Sequence, residues 1–330
     1  MNILITETTD GEPEYFTARL PAHDVMCASR PLQEMHDSEV ELIEAVSVFL
    51  GSKLDREALD RMPLLRVIAT RSTGFDHIDI EEATNRGIAV YNVPEYGSTT
   101  VAEHTFALIL SLTRKVHKAY VHTMMGEFQL GGLLGTDLAG KTLGVIGLGK
   151  IGRQVARIGN GFELTVLATD PVAKEVADYI HLVDLNTLLQ RADVITVCCP
   201  LIESTYHLIG EDAFRHVKPS AILVNTARGP IVDTRALLIA LAEGRLAGAG
   251  LDVLEGEAMM TEDAILARLA LPAGEEVESI ARNLALMRHP NLIVTPHMAF
   301  FSKEALERIR QTTVQNLSQE GVVASANRVN

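Results

Sequence analysis

Nine residues, GVIGLGKIG at 144–152, constrain this chain more than any other stretch. Gly147, Gly149 and Gly152 fall at the spacing GxGxxG, after an apolar strand expected at 143–146 and at the start of a helix expected at 150–159. The first glycine permits a tight turn, the second lets the backbone approach a pyrophosphate, and the third lets the helix pack close on the sheet. The helix N-terminus then presents free N–H groups and a positive dipole end to that phosphate pair. Alone, the spacing is also compatible with a chance glycine-rich turn. Asp170 adds the second half of the pattern, because it ends the next expected strand, 165–168, and lies 18 residues beyond Gly152. That is close to the offset of an acid that binds ribose hydroxyls. A carboxylate there repels a 2′-phosphate, and Pro171, Val172 and Ala173 offer no cation before Lys174, so NAD is expected over NADP.

Around this segment, short apolar and β-branched runs alternate with longer amphipathic ones, the pattern of an α/β fold with parallel sheets. Strands are expected at 2–6, 24–28, 46–49, 66–70 and 89–91, and a second set at 143–146, 165–168, 194–198, 221–225, 248–251 and 292–295. The segment 99–118, TTVAEHTFALILSLTRKVHK, is too uniformly apolar for a one-sided surface helix and should be buried between lobes or subunits. A last helix is expected at 303–320, crossing back to the first lobe, before a polar tail, SANRVN, that should fray.

Composition excludes several classes. At 330 residues the chain exceeds what one core usually serves, so two lobes are expected. Its net charge is −14 with Lys and Arg scattered, which leaves no basic footprint for nucleic acid. No apolar run approaches the ~20 residues that span a bilayer, and the amino terminus reads as a strand rather than a secretion signal. The three cysteines, Cys27, Cys198 and Cys199, form no paired framework, which fits a reducing cytoplasm. His and Cys never fall at metal-ligand spacing, so no metal site is expected.

Reduction of a 2-keto acid needs a cation for the carboxylate, an acid for the new alkoxide and a partner that tunes the acid. Arg228 follows the expected strand 221–225, Glu257 follows 248–251, and His297 follows 292–295. All three therefore leave a parallel sheet at its carboxyl edge, where ligands of open α/β sheets bind. An Arg there can grip a carboxylate bidentately. A Glu beside His297 would favour the imidazolium. Taken singly, each has a bland reading as a cap, a solvated charge or a satisfied histidine; together, beside a dinucleotide loop, they point to hydride transfer. The other histidines, among them His104, His117, His122, His181, His207, His216 and His289, have no matching Arg and Glu partners in the sequence.

These residues resemble the D-isomer-specific 2-hydroxyacid dehydrogenase family, and within it the D-lactate dehydrogenases. The resemblance runs nearly end to end, through RSTGFDHID at 71–79, VPEYGSTTVAEHTFALIL at 93–110, GKTLGVIGLGKIG at 140–152, NTARGPIVD at 225–233, AGLDVLEGE at 249–257 and TPHMAFFSKEAL at 295–306. It implies that Arg228, Glu257 and His297 are the catalytic set, and that Asp252 lies near the nicotinamide end of the cofactor. It implies substrate contacts from the backbone at Thr73 and Gly74 and from Tyr96 and Phe300. It also places Lys150, Ile151, Cys199, Pro200, Thr205, Thr226 and Ala227 with the glycine loop, Asp170, Arg228 and His297 around the cofactor.

The implied architecture is a flavodoxin-like substrate domain from 1–98 and 300–330, a Rossmann NAD-binding domain at 99–299, and a cleft that closes over a small 2-keto or 2-hydroxy acid. A homodimer through the Rossmann domain, using the helix at 101–118, is implied as well, and a chain that ends without a regulatory extension. Pyruvate is the favoured keto acid, with glyoxylate, hydroxypyruvate or a bulkier acid as alternatives and a non-catalytic NADH sensor as the reading from another class. Three features depart from the pattern: a long stretch at 258–290 with helices expected in TEDAILARLA and EEVESIARNLALM, Cys199 where many relatives have His, and Met298 after His297.

Overall fold

Runs such as NILI, AVSV and VIAT can be buried on both faces, as a parallel sheet covered by helices requires. In the computed structural model, which describes residues 1–257, 260, 274–318 and 327–330, they build the first of two units, Met1–Tyr96 with Phe301–Asn330. Its strands are β1 (Asn2–Ile5), β2 (Asp24–Cys27), β3 (Ala45–Val48), β4 (Val67–Thr70) and β5 (Ala89–Tyr91). They run parallel in the order β2-β1-β3-β4-β5, the flavodoxin order. Alternate residues serve opposite faces. Leu4, Val46, Ile68 and Val90 pack with Leu59 and Met62, while Ile3, Ile5, Ala45 and Ala69 pack with Phe16 and Leu317. Phe16 lies on α1 (Glu12–Arg19) and Leu317 on the C-terminal helix Lys303–Ser318. Helices α2 (Asp37–Val40), α3 (Arg56–Asp60) and α4 (Ile80–Asn85) complete the layers, the last two capped by Asp55 and Asp79 carboxylates on the N–H groups of Ala58 and Glu82.

The second unit, Gly97–Phe300, holds β6 (Thr142–Ile146), β7 (Thr165–Thr169), β8 (Ile180–Leu182), β9 (Val194–Val197), β10 (Ile222–Asn225), β11 (Gly248–Leu251) and β12 (Leu292–Val294). The order β12-β11-β10-β9-β6-β7-β8, all parallel, is the doubly wound dinucleotide-binding arrangement extended by one strand. Its helices are α5 (Ser98–Arg114), α6 (Val116–Met124), α7 (Lys150–Gly161), α8 (Leu185–Arg191), α9 (Glu211–His216), α10 (Thr234–Ala242) and α11 (Glu275–Met287). Phe106 and Ile109 of α5 and Val155 of α7 cover one face through Leu143, Val145 and Val224. Leu188, Phe214 and Leu237 of α8, α9 and α10 cover the other through Ile195, Val197 and Leu223.

Three expectations need correction. The apolar segment at 99–118 is broken at Lys115, whose φ of 53° ends α5 and starts α6. Within its own unit, α5 packs on α7 and on β10, β11 and β12. The three-residue strand β8 was not anticipated, because IHL exposes two of its residues and is too short to show a period. The tail does not fray where it is described: Val329 N donates to Val90 O at 2.9 Å, Val90 N donates to Asn330 Oδ1 at 2.9 Å, and Arg328 bridges Tyr91 in antiparallel sense. The expected helix at 261–270 lies outside the described residues. No described helix is long and apolar enough to cross a membrane.

Removal of residues 327–330 should lower the thermal unfolding midpoint by on the order of 5 °C, since it takes away several backbone bonds worth about 1 kcal/mol each. A midpoint unchanged in differential scanning calorimetry would show that the tail's pairing with β5 contributes nothing.

Candidate active site

The turn between β6 and α7 is shaped by contacts that only glycine allows. Gly147 has a φ of 92°, and a Cβ there would stand 2.5 Å from the backbone nitrogen of Cys199. At Gly152 a Cβ would meet the carbonyl oxygen of Gly147 at 2.0 Å, whereas a Cβ on Gly149 would meet nothing within 4 Å. Two glycines therefore serve the packing, and the third leaves open space at the helix N-terminus where a phosphate pair can approach.

Asp170 closes the same site. Its Oδ2 accepts from Leu148 N at 2.7 Å, and its Oδ1 accepts from Val172 N and Ala173 N at 2.9 and 3.0 Å. Burial pushes its pKa up, but these three N–H groups and the nearby Arg153 outweigh burial and hold it below the usual carboxylate value. The ionised carboxylate retains lone pairs for ribose hydroxyls. It sits in an open cavity of about 380 Å³ lined by Leu148, Gly149, Arg153 and Lys174 among others. Arg153 was not foreseen beside Asp170, because it comes from α7 rather than from the residues after β7; it also donates to Glu175 O at 3.0 Å.

The carboxyl ends of three adjacent strands carry the remaining chemistry. After β10, Arg228 is half-buried, its Nη1 donating to Ala227 O at 2.8 Å and its own carbonyl accepting from Asn225 Nδ2 at 2.9 Å. Gly229 then packs so tightly on the chain after β11 that a Cβ would lie 2.2 Å from the Leu254 carbonyl carbon. Glu257, on that same chain, accepts from Leu254 N through Oε2 at 3.1 Å and faces His297 Nδ1 through Oε1 at 2.7 Å. His297 follows β12 with a φ of 50°, a conformation that costs a residue with a Cβ energy and persists only when surroundings hold it. The Phe300 ring stands edge-on to it, with centroids 6.5 Å apart.

What holds His297 is Asp252. This carboxylate is 1% exposed and accepts from Thr295 Oγ1 at 2.5 Å, Met298 N at 2.9 Å and Ala299 N at 2.8 Å. The Asp252 carbonyl also accepts from His297 N at 2.8 Å. His104, on α5, approaches the carboxylate at 3.4 Å and Thr295 Oγ1 at 3.1 Å. Burial raises the Asp252 pKa, but the bonds from His104, Thr295, Ala299 and Met298 prevail and lower it.

A second His and carboxylate pair braces the same edge from behind. His207 Nε2 lies 2.7 Å from Glu255 Oε1, and Glu255 Oε2 accepts from Thr234 N at 2.9 Å. His207 N donates to Pro230 O at 2.9 Å. The chain from β9 is thus tied to those leaving β10 and β11. Thr205, in that first chain, donates to Pro200 O at 2.6 Å, and Thr226 bonds Thr105 of α5 at 2.9 Å. Burial drives the Cys199 thiol up to about 11, so it is a neutral wall at neutral pH. On spacing alone His104 and His207 had no acidic partner; their partners come from remote turns that only the fold brings near.

In the first unit, Thr73 and Gly74 follow β4. Thr73 Oγ1 donates to Val93 O at 2.8 Å, and Gly74 O accepts from Ser72 Oγ at 2.6 Å. The Tyr96 carbonyl accepts from Arg308 Nε at 2.8 Å.

The family profile described as D-isomer specific 2-hydroxyacid dehydrogenase, NAD binding domain, matches residues 106–299. The chain belongs to this dehydrogenase family. It is an NAD-binding oxidoreductase, and the glycine loop and the open space at Gly149 fit that cofactor. Over 281 residues it is 37% identical to the D-lactate dehydrogenase of Escherichia coli K12, covering 83% of this chain and 82% of that one. It is 39% identical to a glyoxylate reductase of Thermofilum pendens over 282 residues, 83% of this chain and 77% of the relative. Among solved structures, D-lactate dehydrogenase of Aquifex aeolicus, complexed with NAD and lactic acid, superposes with a TM-score of 0.86 at 35% identity, covering 96% and 94% of the two chains.

The lowered Asp252 pKa has a sign. A folded value below the unfolded one contributes stability above the ordinary carboxylate range, and that stability is lost as pH falls through the folded value. Asp252→Asn should therefore destabilise the dehydrogenase by roughly 2–3 kcal/mol near neutrality and flatten the acid limb of its stability curve. Urea melts of both proteins at a series of pH values test this, and parallel curves would refute it.

Proposed function

We propose that this dehydrogenase reduces a small 2-keto acid, pyruvate for preference, to the D-2-hydroxy acid, reversibly and with NADH. The observation that carries the reading is the 2.7 Å contact of Glu257, after β11, with His297, after β12, on the same sheet edge as Arg228 after the neighbouring β10. NADH, when bound, supplies the hydride that reaches the carbonyl carbon. Arg228 grips the substrate carboxylate and polarises the carbonyl. Glu257 accepts a hydrogen bond from Nδ1–H of the doubly protonated His297 ring, which fixes the ring and leaves Nε2–H to protonate the carbonyl oxygen as hydride addition turns it into an alkoxide; the ring is left neutral. The sum is keto acid, NADH and a proton giving hydroxy acid and NAD. In this reading Thr73, Gly74, Tyr96 and Phe300 contact substrate, and Asp252 acts on the reaction by positioning His297.

The likeness to D-lactate dehydrogenases supports pyruvate, and the likeness to a glyoxylate reductase supports a two-carbon acid as the second reading. We also place the chain in the cytoplasm, where its three unpaired cysteines stay reduced. It acts there as a homodimer through the nucleotide-binding unit. Tyr120, Met124, Met125, Phe128, Leu130 and Leu134, all at least 65% exposed, offer the apolar surface for a second copy.

Rates of NADH oxidation with pyruvate, glyoxylate, hydroxypyruvate, oxaloacetate and phenylpyruvate should rank pyruvate first. No turnover on any would leave only an NADH-binding scaffold. His297→Ala should lower kcat by about 10³-fold or more while NADH affinity stays, and Arg228→Ala should raise KM for the keto acid as well. Full activity in either variant would overturn the assignment. Light scattering at micromolar concentration should return twice the chain mass.

A further inference from the structure

The seven-stranded sheet has a second edge, at the amino ends of its strands, which the chemistry above does not use. There a cavity of about 240 Å³ opens beside Ile222 and Gly248, the first residues of β10 and β11. The break between α5 and α6 forms one wall, because the left-handed turn at Lys115 brings Lys115, His117 and Lys118 together around the same space. All three are half-buried, and no Asp or Glu is among the described residues that line it. The chain as a whole carries a net charge of −14, so this cluster runs against its overall sign.

The partners of these groups are neutral. Lys115 Nζ donates to Gly132 O at 3.2 Å, Lys118 Nζ reaches Asn291 Oδ1 at 3.5 Å, and His117 Nδ1 donates to Ser111 O at 3.1 Å. The last bond occupies Nδ1 and leaves Nε2 as the atom that can bond elsewhere. The mutual cost lowers the pKa of two of these groups. Burial, then Lys115, pushes the Lys118 pKa down, and burial, then Lys118, outweighs the Ser111 carbonyl to push His117 down. Thr136 and Ser220, on the same wall, carry hydroxyls that can donate. Cations with no Asp or Glu among the described lining residues, next to hydroxyl donors and a cavity with room for about eight waters, match the chemistry of a multivalent anion.

We propose that this cavity is a binding site for a small multivalent oxyanion, a phosphate or a di- or tricarboxylate, on the sheet edge opposite the hydride-transfer residues. The anion is held by charge-assisted bonds from Lys115 and Lys118. It relieves their repulsion, so binding raises the stability of this unit. The site is independent of which keto acid the enzyme reduces, since none of its residues lies at the carboxyl edge.

The test uses the full-length protein with saturating NADH, so that the dinucleotide loop is occupied. Sodium phosphate and sodium citrate are titrated by calorimetry and by thermal shift, against sodium chloride at matched ionic strength. At least one of the two should bind saturably and raise the midpoint, while chloride should not. Lys115→Gln with Lys118→Gln should weaken that binding by about ten-fold or more, which corresponds to 1.4 kcal/mol or above. Without anion the double variant should melt at or above the wild-type temperature, and its basal kcat should be unchanged. If the double variant fails to fold, Lys118→Gln alone carries the comparison. Absence of saturable binding by both anions, an equal effect of chloride, or undiminished binding by the variant each overturn the proposal.

Discussion

The candidate active site depends on one buried carboxylate. Asp252 receives a hydroxyl and two backbone N–H groups at 2.5–2.9 Å and sits beside His104, in surroundings from which water is almost excluded. Charge-assisted bonds in such surroundings are stronger than neutral ones and costly to leave unmade. They bind the chain leaving β12 to the chain leaving β11 and hold His297 in a conformation it would not adopt alone. The 2.7 Å approach to Glu257 is a result of that restraint.

Around this point the sheet edge is braced rather than merely adjacent. Gly229 touches the backbone at Leu254, His207 meets Glu255, and Glu255 caps the turn at Thr234. The chains leaving β9, β10 and β11 are thereby fixed to one another. Loops bearing reactive groups usually gain precision from the elements beneath them; here side chains on the loops add a second set of ties.

Much of this was legible in the residues because the relevant signals are contiguous. The glycine spacing, Asp170 at the next strand end, and Arg228, Glu257 and His297 after successive apolar runs each lie within one βα unit. What escaped the reading depends on distant segments meeting. Arg153 reaches the Asp170 cavity from a helix, His104 reaches Asp252 from α5, and His207 finds Glu255 across two strand ends. Strand β8 was missed for another reason: three residues with two exposed show neither an apolar run nor a period. The tail looked solvated because Arg328 and Asn330 are polar, yet Arg328 bridges Tyr91 and the Asn330 amide bonds the backbone of Ile88 and Val90, pairings that composition does not reveal.

The positive φ of His297 sets backbone stability against the role proposed for this side chain at a single position. Glycine adopts that backbone without strain, and asparagine tolerates it better than most residues. A lineage released from the need to turn over substrate would therefore keep this backbone with glycine or asparagine at 297, giving up the contact with Glu257 but retaining the Asp252 ties and the glycine loop. On the proposed assignment of His297 as the proton donor, one substitution removes catalysis without unfolding the scaffold, so a chain with the whole architecture and no histidine at 297 is a stable evolutionary product rather than a damaged one.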